Sequence, residues 1–395
     1  MASLLIAVIY LSYMSLGLPD SLLGSAWPIM RGDLSVPTSY MGIITMIIFG
    51  GTIVSSLMSD RLIRRVGSFN VTAYSTALTA IAMFGFSVAR DIPTLFILSV
   101  PYGLGAGAID AALNNYVATN LSSKHMNWTQ AAWGAGVIIS PYIMGYALSA
   151  DLGWRSGYGI VTVLQVILTV MIFVSFPMWK KQAGESNDIH GSKPLKIKQI
   201  VKIKGVMYSA MALFAYCAFE QAAGIWATSY LVDFKHVDPE TAARYCALYF
   251  IGMTVGRILV GFVADLIGDK LLIRYGIIVI IIGVVTIALP TDSALPSLIG
   301  LIVAGVGSAP IYPCIIHSTP SNFGKENSQS LIGFQMATAY FGNTFMPTIF
   351  GFVAQYTGIG FYPFFIGIFA ILMLVTTEIL NKLIAGKDLD KSFVK

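Results

Sequence analysis

Charge is what this chain has least of. Asp, Glu, Lys and Arg together make up 11% of its 395 residues, against 56% hydrophobic. A soluble domain of that size could not stay dissolved at such a balance, so lipid is the expected solvent. Histidine and cysteine are also scarce. The four histidines (His125, His190, His236, His317) show no metal-ligand spacing, and Cys217, Cys246 and Cys314 form no C-x-x-C pair or disulfide framework. No metal and no other cofactor is therefore expected, and the cysteines read as inert core residues. A G-x4-G-K-[ST] phosphate loop is missing, as are G-x-S-x-G and H-E-x-x-H. Neither an ATP-driven motor nor a hydrolase is encoded by any recognisable motif, and no enzyme activity is expected.

What the chain has instead is long apolar runs. A bilayer core of about 30 Å takes about 20 helical residues to cross. Runs of that kind fall at 3–30, 39–58, 70–89, 93–118, 128–149, 156–178, 206–232, 243–264, 272–290, 297–318, 329–353 and 361–381. They are continuous and do not alternate, which predicts helices and not barrel strands. The 38 glycines and 16 prolines lie mostly inside the runs, where they permit close helix packing and kinks. The first run reads as a retained span and not as a cleaved signal.

Basic residues set the orientation. With a cytoplasmic N-terminus, 18 of the 24 Lys and Arg fall in inside loops or the tail, so both termini are expected in the cytoplasm. The net charge of +5 then serves topology and anionic lipid, and no nucleic-acid partner is implied. The one long polar connection divides the chain into a first bundle (1–178), a cytoplasmic linker (179–205), a second bundle (206–381) and a cytoplasmic tail (382–395). Within the linker, Leu195, Ile197, Ile200, Val201 and Ile203 suggest an amphipathic surface helix.

The two halves repeat one another. GGTIVSSLMSDRLIRRVG (Gly50 to Gly67) is matched by VGRILVGFVADLIGDKLLIR (Val255 to Arg274), with Gly51 on Gly256, Asp60 on Asp265 and Arg65 on Lys270, 205 positions apart. Gly136, Pro141 and Gly145 recur as Gly342, Pro347 and Gly351 at an offset of 206, and Gly103 and Gly105 as Gly305 and Gly307 at 202. A duplicated helical membrane protein of this kind is expected to be a transporter whose halves rock about the midplane.

These residues resemble the major facilitator superfamily over essentially the whole chain. Its loop signature, G-x3-D-R-x-G-x-R/K-R/K, survives in the first copy as Asp60, Arg61, Arg64 and Arg65, with Ser56 and Ile63 in place of glycine. The second copy keeps Gly261, Asp265, Gly268 and Lys270, with Leu266 in the arginine position. The resemblance implies an all-α membrane protein with twelve transmembrane helices in two six-helix, pseudo-symmetric bundles. GLPDSLLGSAWP (Gly17 to Pro28), GAGAIDAALNNYVA (Gly105 to Ala118), NWTQAAWGAGVIISP (Asn127 to Pro141) and FEQAAGIWATSYL (Phe219 to Leu231) are similar to the fucose-permease-like branch of sugar:proton symporters. Relatives there often carry histidine where this chain has Gln130.

Three acids lie well inside spans: Asp20, Asp110 and Glu220. A mid-membrane charge costs about 2.5–3.5 kcal/mol on insertion scales, so a carboxylate persists there only if paired, hydrated or protonated. All three are candidate proton-coupling groups, each with a purely structural alternative. Asp20 follows Pro19, which loosens the helix at the acid. Asp110 shares a helical face with Asn114 one turn on. Asn114, Gln130, Trp133, Gln221, Trp226, Tyr312, Gln335 and Asn343 are the candidate solute-binding residues, because amides donate and accept while indoles pack on a sugar ring. The same side chains also serve as interhelical glue. Asp60, Arg61, Arg64, Arg65, Arg257, Asp265 and Lys270 are candidate gating residues. The loop acids are expected to bond helix ends or bases across the bundles, and Arg257 to snorkel toward the cytoplasm.

The reading that follows is proton-linked symport of a small polar solute, a neutral sugar or sugar-like compound, by a monomer in a bacterial inner membrane. Its partners are the solute, protons and membrane lipid. The alternative is a proton antiporter exporting drugs or metabolites, with only a partial glycine/proline motif in span five to support it. A transporter-like sensor is disfavoured by the short tail.

Overall fold

The computed structural model describes residues 2–37, 40–177, 194–291 and 293–392, and among these there is no strand. Helices α1 (Ala2–Asp20), α2 (Leu22–Asp33), α3 (Tyr40–Val66), α4 (Ser68–Val88), α5 (Ile92–Asn120), α6 (Ser123–Ser149) and α7 (Gly153–Val174) come first. They are followed by α8 (Ile197–Ile200), α9 (Val206–Ser229), α10 (Pro239–Ile267), α11 (Asp269–Ile287), α12 (Leu295–Ser308), α13 (Ile311–His317), α14 (Thr319–Phe323), α15 (Lys325–Thr357) and α16 (Tyr362–Ser392).

Ten helical segments are long and apolar enough to cross a membrane, with α1 and α2 forming one and α12 and α13 another. Helices α9 and α15, of 24 and 33 residues, are also long enough. Their polar load, Glu220 and Gln221 in one and Gln329, Gln335 and Asn343 in the other, makes them less apolar. Together these are the twelve spans that the apolar runs predict. Large apolar side chains such as Ile81, Ile97, Val174, Phe262 and Phe364 point outward and are exposed. That is the surface of a protein solvated by hydrocarbon.

The chain separates into two compact units, Met1–Tyr116 with Trp128–Pro194, and Val117–Asn127 with Leu195–Lys395. In the first, α7 packs on α4, α1 and α2. Its core holds Phe86, Trp154, Tyr158 and Met144, with the Trp154 and Tyr158 rings edge to face at 6.1 Å. In the second, α9 packs on α15 and α16, while α11 packs on α12, α13 and α16. The bidentate pair of Arg274 with Glu378, both bonds 2.6 Å, ties α11 to α16.

Most of the expected linker lies outside the described residues. Its end is described: Ile200 packs with Val206, Ala210, Leu331 and Phe334, and Lys196, Lys198, Lys202, Ile197 and Val201 are exposed. The helix here is only the four residues of α8, anchored to the protein by Ile200, with Ile197 and Val201 exposed beside the lysines. Outside the spans, Asp91 precedes α5 and accepts the Thr94 backbone N–H at 2.8 Å. That bond satisfies an orphan donor of the first turn and holds the Asp91 carboxyl below its ordinary range.

The repeated glycines mark equivalent helix contacts. A Cβ on Gly136 would sit 2.3 Å from the Met14 carbonyl oxygen, and one on Gly342 2.6 Å from that of Phe214. Likewise a Cβ on Gly103 would meet the Ile48 carbonyl oxygen at 2.1 Å, and one on Gly305 that of Tyr249 at 2.3 Å. In each unit, therefore, the fifth span touches the first and the fourth touches the second through a missing side chain. The duplication read in the sequence is a duplication of packing.

Candidate functional site

In the first unit the helix breaks at its acid. Pro19 offers no backbone donor, α1 ends at Asp20, and Ser21 separates it from α2. The Ser21 hydroxyl donates instead to the Val137 carbonyl of α6 at 2.7 Å. Gly17 and Gly136 bring α1 and α6 backbone to backbone at this level, which puts Trp133 beside the acid. The Asp20 carboxylate accepts from Trp133 Nε1 at 2.9 Å and from the Tyr102 hydroxyl at 3.1 Å. Asp20 itself is exposed, while Tyr102 is buried. Both donors are neutral. They orient a carboxylate without cancelling its charge, which suits a group that must gain and lose a proton.

The second acid of this unit heads a chain of amides. Asn114 Nδ2 donates to Asp110 Oδ1 at 2.7 Å, one turn apart as their spacing predicts, and Gln130 Nε2 lies 3.4 Å from Asn114 Oδ1. Asn114 and Gln130 are buried. Ser15 and Gln165, which the sequence did not single out, bridge α1 and α7: the Gln165 amide donates to the Ser15 carbonyl at 2.6 Å while its oxygen accepts from the Ser15 hydroxyl.

In the second unit Glu220 and Arg257 meet. Arg257 Nη2 donates to the Tyr216 hydroxyl at 3.2 Å and lies 3.9 Å from Glu220 Oε1. Tyr216 is one turn before Glu220 on α9, so the sequence spacing places them on one face. The expected snorkelling of Arg257 does not occur. Its side chain is 2% exposed, because a phenol and a carboxylate on the neighbouring helix offer it a closer polar site than the membrane surface does. Tyr312 stacks obliquely near Tyr216, ring centroids 6.1 Å apart, and donates to Met336 Sδ at 3.1 Å.

The other candidate solute groups of this unit divide by what they touch. Trp226 Nε1 donates at 2.9 Å to the carbonyl of Pro347, and its ring lies edge to face on Phe350. Gln221 and Asn343 are half-buried. Gln335 is fully buried; its Nε2 donates to the Ser209 hydroxyl at 2.7 Å and its Oε1 accepts from Thr319 at 3.0 Å. Gln335 is occupied as a bridge between α9, α14 and α15. Replacing it with leucine is expected to cost about 1–3 kcal/mol, since Ser209 and Thr319 would stay buried without it. Thermal unfolding in detergent measures this, and a variant as stable as the parent contradicts the bridging role.

Of the candidate gating groups, Asp60 is buried and accepts from Arg64 Nε at 2.7 Å, while Arg61, Arg65 and Lys270 are exposed. Asp265 accepts the Ser122 hydroxyl at 2.9 Å and the Lys124 backbone N–H at 3.2 Å, so it serves the N-terminal end of α6. Asp269, which the sequence reading passed over, accepts from Ser123 and pairs with His317 Nδ1 at 2.6 Å. Among the described residues no group of three His, Cys, Asp or Glu is placed to hold a metal ion.

Comparison with known proteins agrees with this architecture. The model described as Major Facilitator Superfamily matches residues 9–292 and 210–380. The Hexuronate transporter of Bacillus subtilis is 24% identical over 377 residues, covering 86% of this chain and 85% of that protein. Bypass of stop codon protein 6 of Saccharomyces cerevisiae is 20% identical over 272 residues; the match spans 63% of this chain and 54% of that longer protein. Among solved structures, FucP in its outward conformation superposes with a TM-score of 0.79 at 15% identity, covering 95% of this chain and 98% of that one. FucP is the fucose:proton symporter of E. coli.

Proposed function

We propose that this chain, which belongs to the Major Facilitator Superfamily, is a proton-coupled secondary transporter that symports a small polar, sugar-like solute by alternating access. The observation that carries the reading is Asp20: a carboxylate at a proline-broken helix, within a span, exposed, and held among the described residues by the neutral donors Tyr102 and Trp133. Such a carboxylate is costly as an anion in a membrane and easily neutralised by a proton. Asp110 and Glu220 are the further proton-coupling candidates.

Trp133 beside Asp20 supplies an indole face next to an acceptor, the pairing that suits a ring with hydroxyls at its edge. Asn114 and Gln130 are the further solute-binding candidates of the first unit, and Gln221, Trp226, Tyr312 and Asn343 are those of the second. Asp60 with Arg61, Arg64 and Arg65, and Asp265 with Lys270, are the gating groups. The bias of basic residues supports cytoplasmic termini, and a bacterial inner membrane is the proposed location. Similarity to FucP, a fucose:proton symporter, and to a hexuronate transporter supports a solute of monosaccharide size.

The test is uptake of labelled monosaccharides and sugar acids into proteoliposomes, with and without an acidic exterior. A solute that accumulates only with the gradient is the expected result. Solute that leaves as protons enter, with no accumulation, would replace symport by antiport.

A further inference from the structure

Besides the Arg274–Glu378 pair, the spans of the second unit hold a second charged pair, Glu220 with Arg257, and this one is loosely closed. Arg257 is 2% exposed and Glu220 13%, and 3.9 Å separates Nη2 from Oε1. A locked charge-assisted bond would be about 2.7–2.9 Å. The two groups therefore attract one another without a direct bond across that gap. Arg257 stays protonated at any physiological pH, whereas a carboxyl does not stay ionised everywhere. Among the described residues, the other titratable groups facing the pair are Tyr216 on α9, Tyr249 on α10 and Tyr312 on α13, with Cys217 beside Tyr216 and Cys246 beside Tyr249. The phenols and thiols are neutral near pH 7. Glu220 is thus the group there whose charge can change.

Protonating Glu220 takes one negative charge away from the surroundings of a sheltered guanidinium. A solute carboxylate would restore it. Of the two, Glu220 is the less buried, and its neutralisation would leave the guanidinium to a solute carboxylate. A guanidinium presents a planar fork that matches a carboxylate, and the Tyr216 hydroxyl beside it completes a polar seat.

Resting on the symport reading above, we propose that the solute is a hydroxylated monocarboxylate, a sugar acid rather than a neutral sugar, and that its carboxylate and that of Glu220 compete for Arg257. The proton taken up by Glu220 offsets the charge of the solute. It travels with the solute in addition to the proton carried at Asp20, and so couples accumulation of the acid to the gradient as well.

The full-length protein in proteoliposomes tests this with D-glucuronate and D-gluconate as acids and D-glucose and L-fucose as neutral probes. Accumulation of an acid but not of its neutral counterpart is expected. Affinity for that acid should tighten by up to about tenfold per pH unit on acidification, the limit for one linked proton. Glu220→Gln is expected to keep acid binding while flattening this pH dependence. Arg257→Lys keeps the charge but loses the fork, and should weaken acid binding about tenfold or more, the scale of one lost charge-assisted hydrogen bond. Asp20→Asn should retain pH-dependent acid binding even where accumulation fails, so the two readings fail separately. Gradient-driven accumulation of neutral probes alone, or acid uptake unchanged by Arg257→Lys, overturns the sugar-acid assignment and leaves symport standing. Accumulation of no probe overturns both.

Discussion

Asp20→Asn is expected to lower gradient-driven accumulation while solute exchange continues. A gradient of one pH unit stores about 1.4 kcal/mol per proton, enough for about tenfold accumulation. The variant should lower the ratio of internal to external solute by about tenfold, down to about one where Asp20 carries the only coupled proton. The substitution is nearly isosteric: an amide oxygen still accepts from Trp133 Nε1 or the Tyr102 hydroxyl, and that hydroxyl is able to turn and accept from the new N–H. The break after Pro19 and the Ser21 bond to Val137 do not depend on the acid. What is lost is the site at which a proton is held. Counterflow of labelled solute, which needs no gradient, separates this loss from misfolding. Intact accumulation in the variant would remove Asp20 from the proton path and pass the role to Asp110 or Glu220.

Gly136→Ala is expected to cost about 3 kcal/mol or more, the upper end for overpacking, with loss of folded protein in detergent. The added methyl would lie 2.3 Å from the Met14 carbonyl oxygen and 3.0 Å from the Leu18 nitrogen. Both are backbone atoms of α1, so no side-chain rotation relieves the clash and the helices must part. Parting them would also withdraw Trp133 from Asp20, so surviving protein should transport poorly. Gly145 belongs to the same repeated motif and supplies the comparison. Nothing lies within 4 Å of a Cβ placed there, and Gly145→Ala should be neutral or stabilising by up to about 1 kcal/mol from helix propensity alone. Equal midpoints for the two variants in thermal unfolding would show that the α1–α6 contact is looser than described.

Span positions were legible because bilayer thickness constrains a chain in one dimension. A run of apolar residues must become a helix of matching length, whatever surrounds it. Even there the tertiary structure extended the reading. Helix α3 continues to Val66, beyond the apolar run ending at 58, for about two helical turns that include the Asp60–Arg64 pair. Helices α9 and α15 cross despite polar residues that other helices satisfy, as Ser209 and Thr319 do for Gln335. The break at Asp20 was legible from Pro19, since a missing donor acts locally. The Asp110–Asn114 bond was legible from one-turn spacing.

Which helix faces meet was not. In a soluble protein an apolar stripe marks the buried side, but here lipid and core are equally apolar, and that contrast vanishes. Tyr102 and Tyr216 therefore looked like any other span aromatics, although one bonds Asp20 and the other Arg257. The direction taken by Arg257 was also undecided, because its stem reaches either the cytoplasmic edge or a neighbouring helix, and only the position of Glu220 and Tyr216 selects between them. By itself the sequence determined the spans, their duplication and the identity of the intramembrane acids, all properties of spacing along one chain. The tertiary structure alone decided the partners of those acids, because a partner on another helix is set by packing and not by distance in sequence.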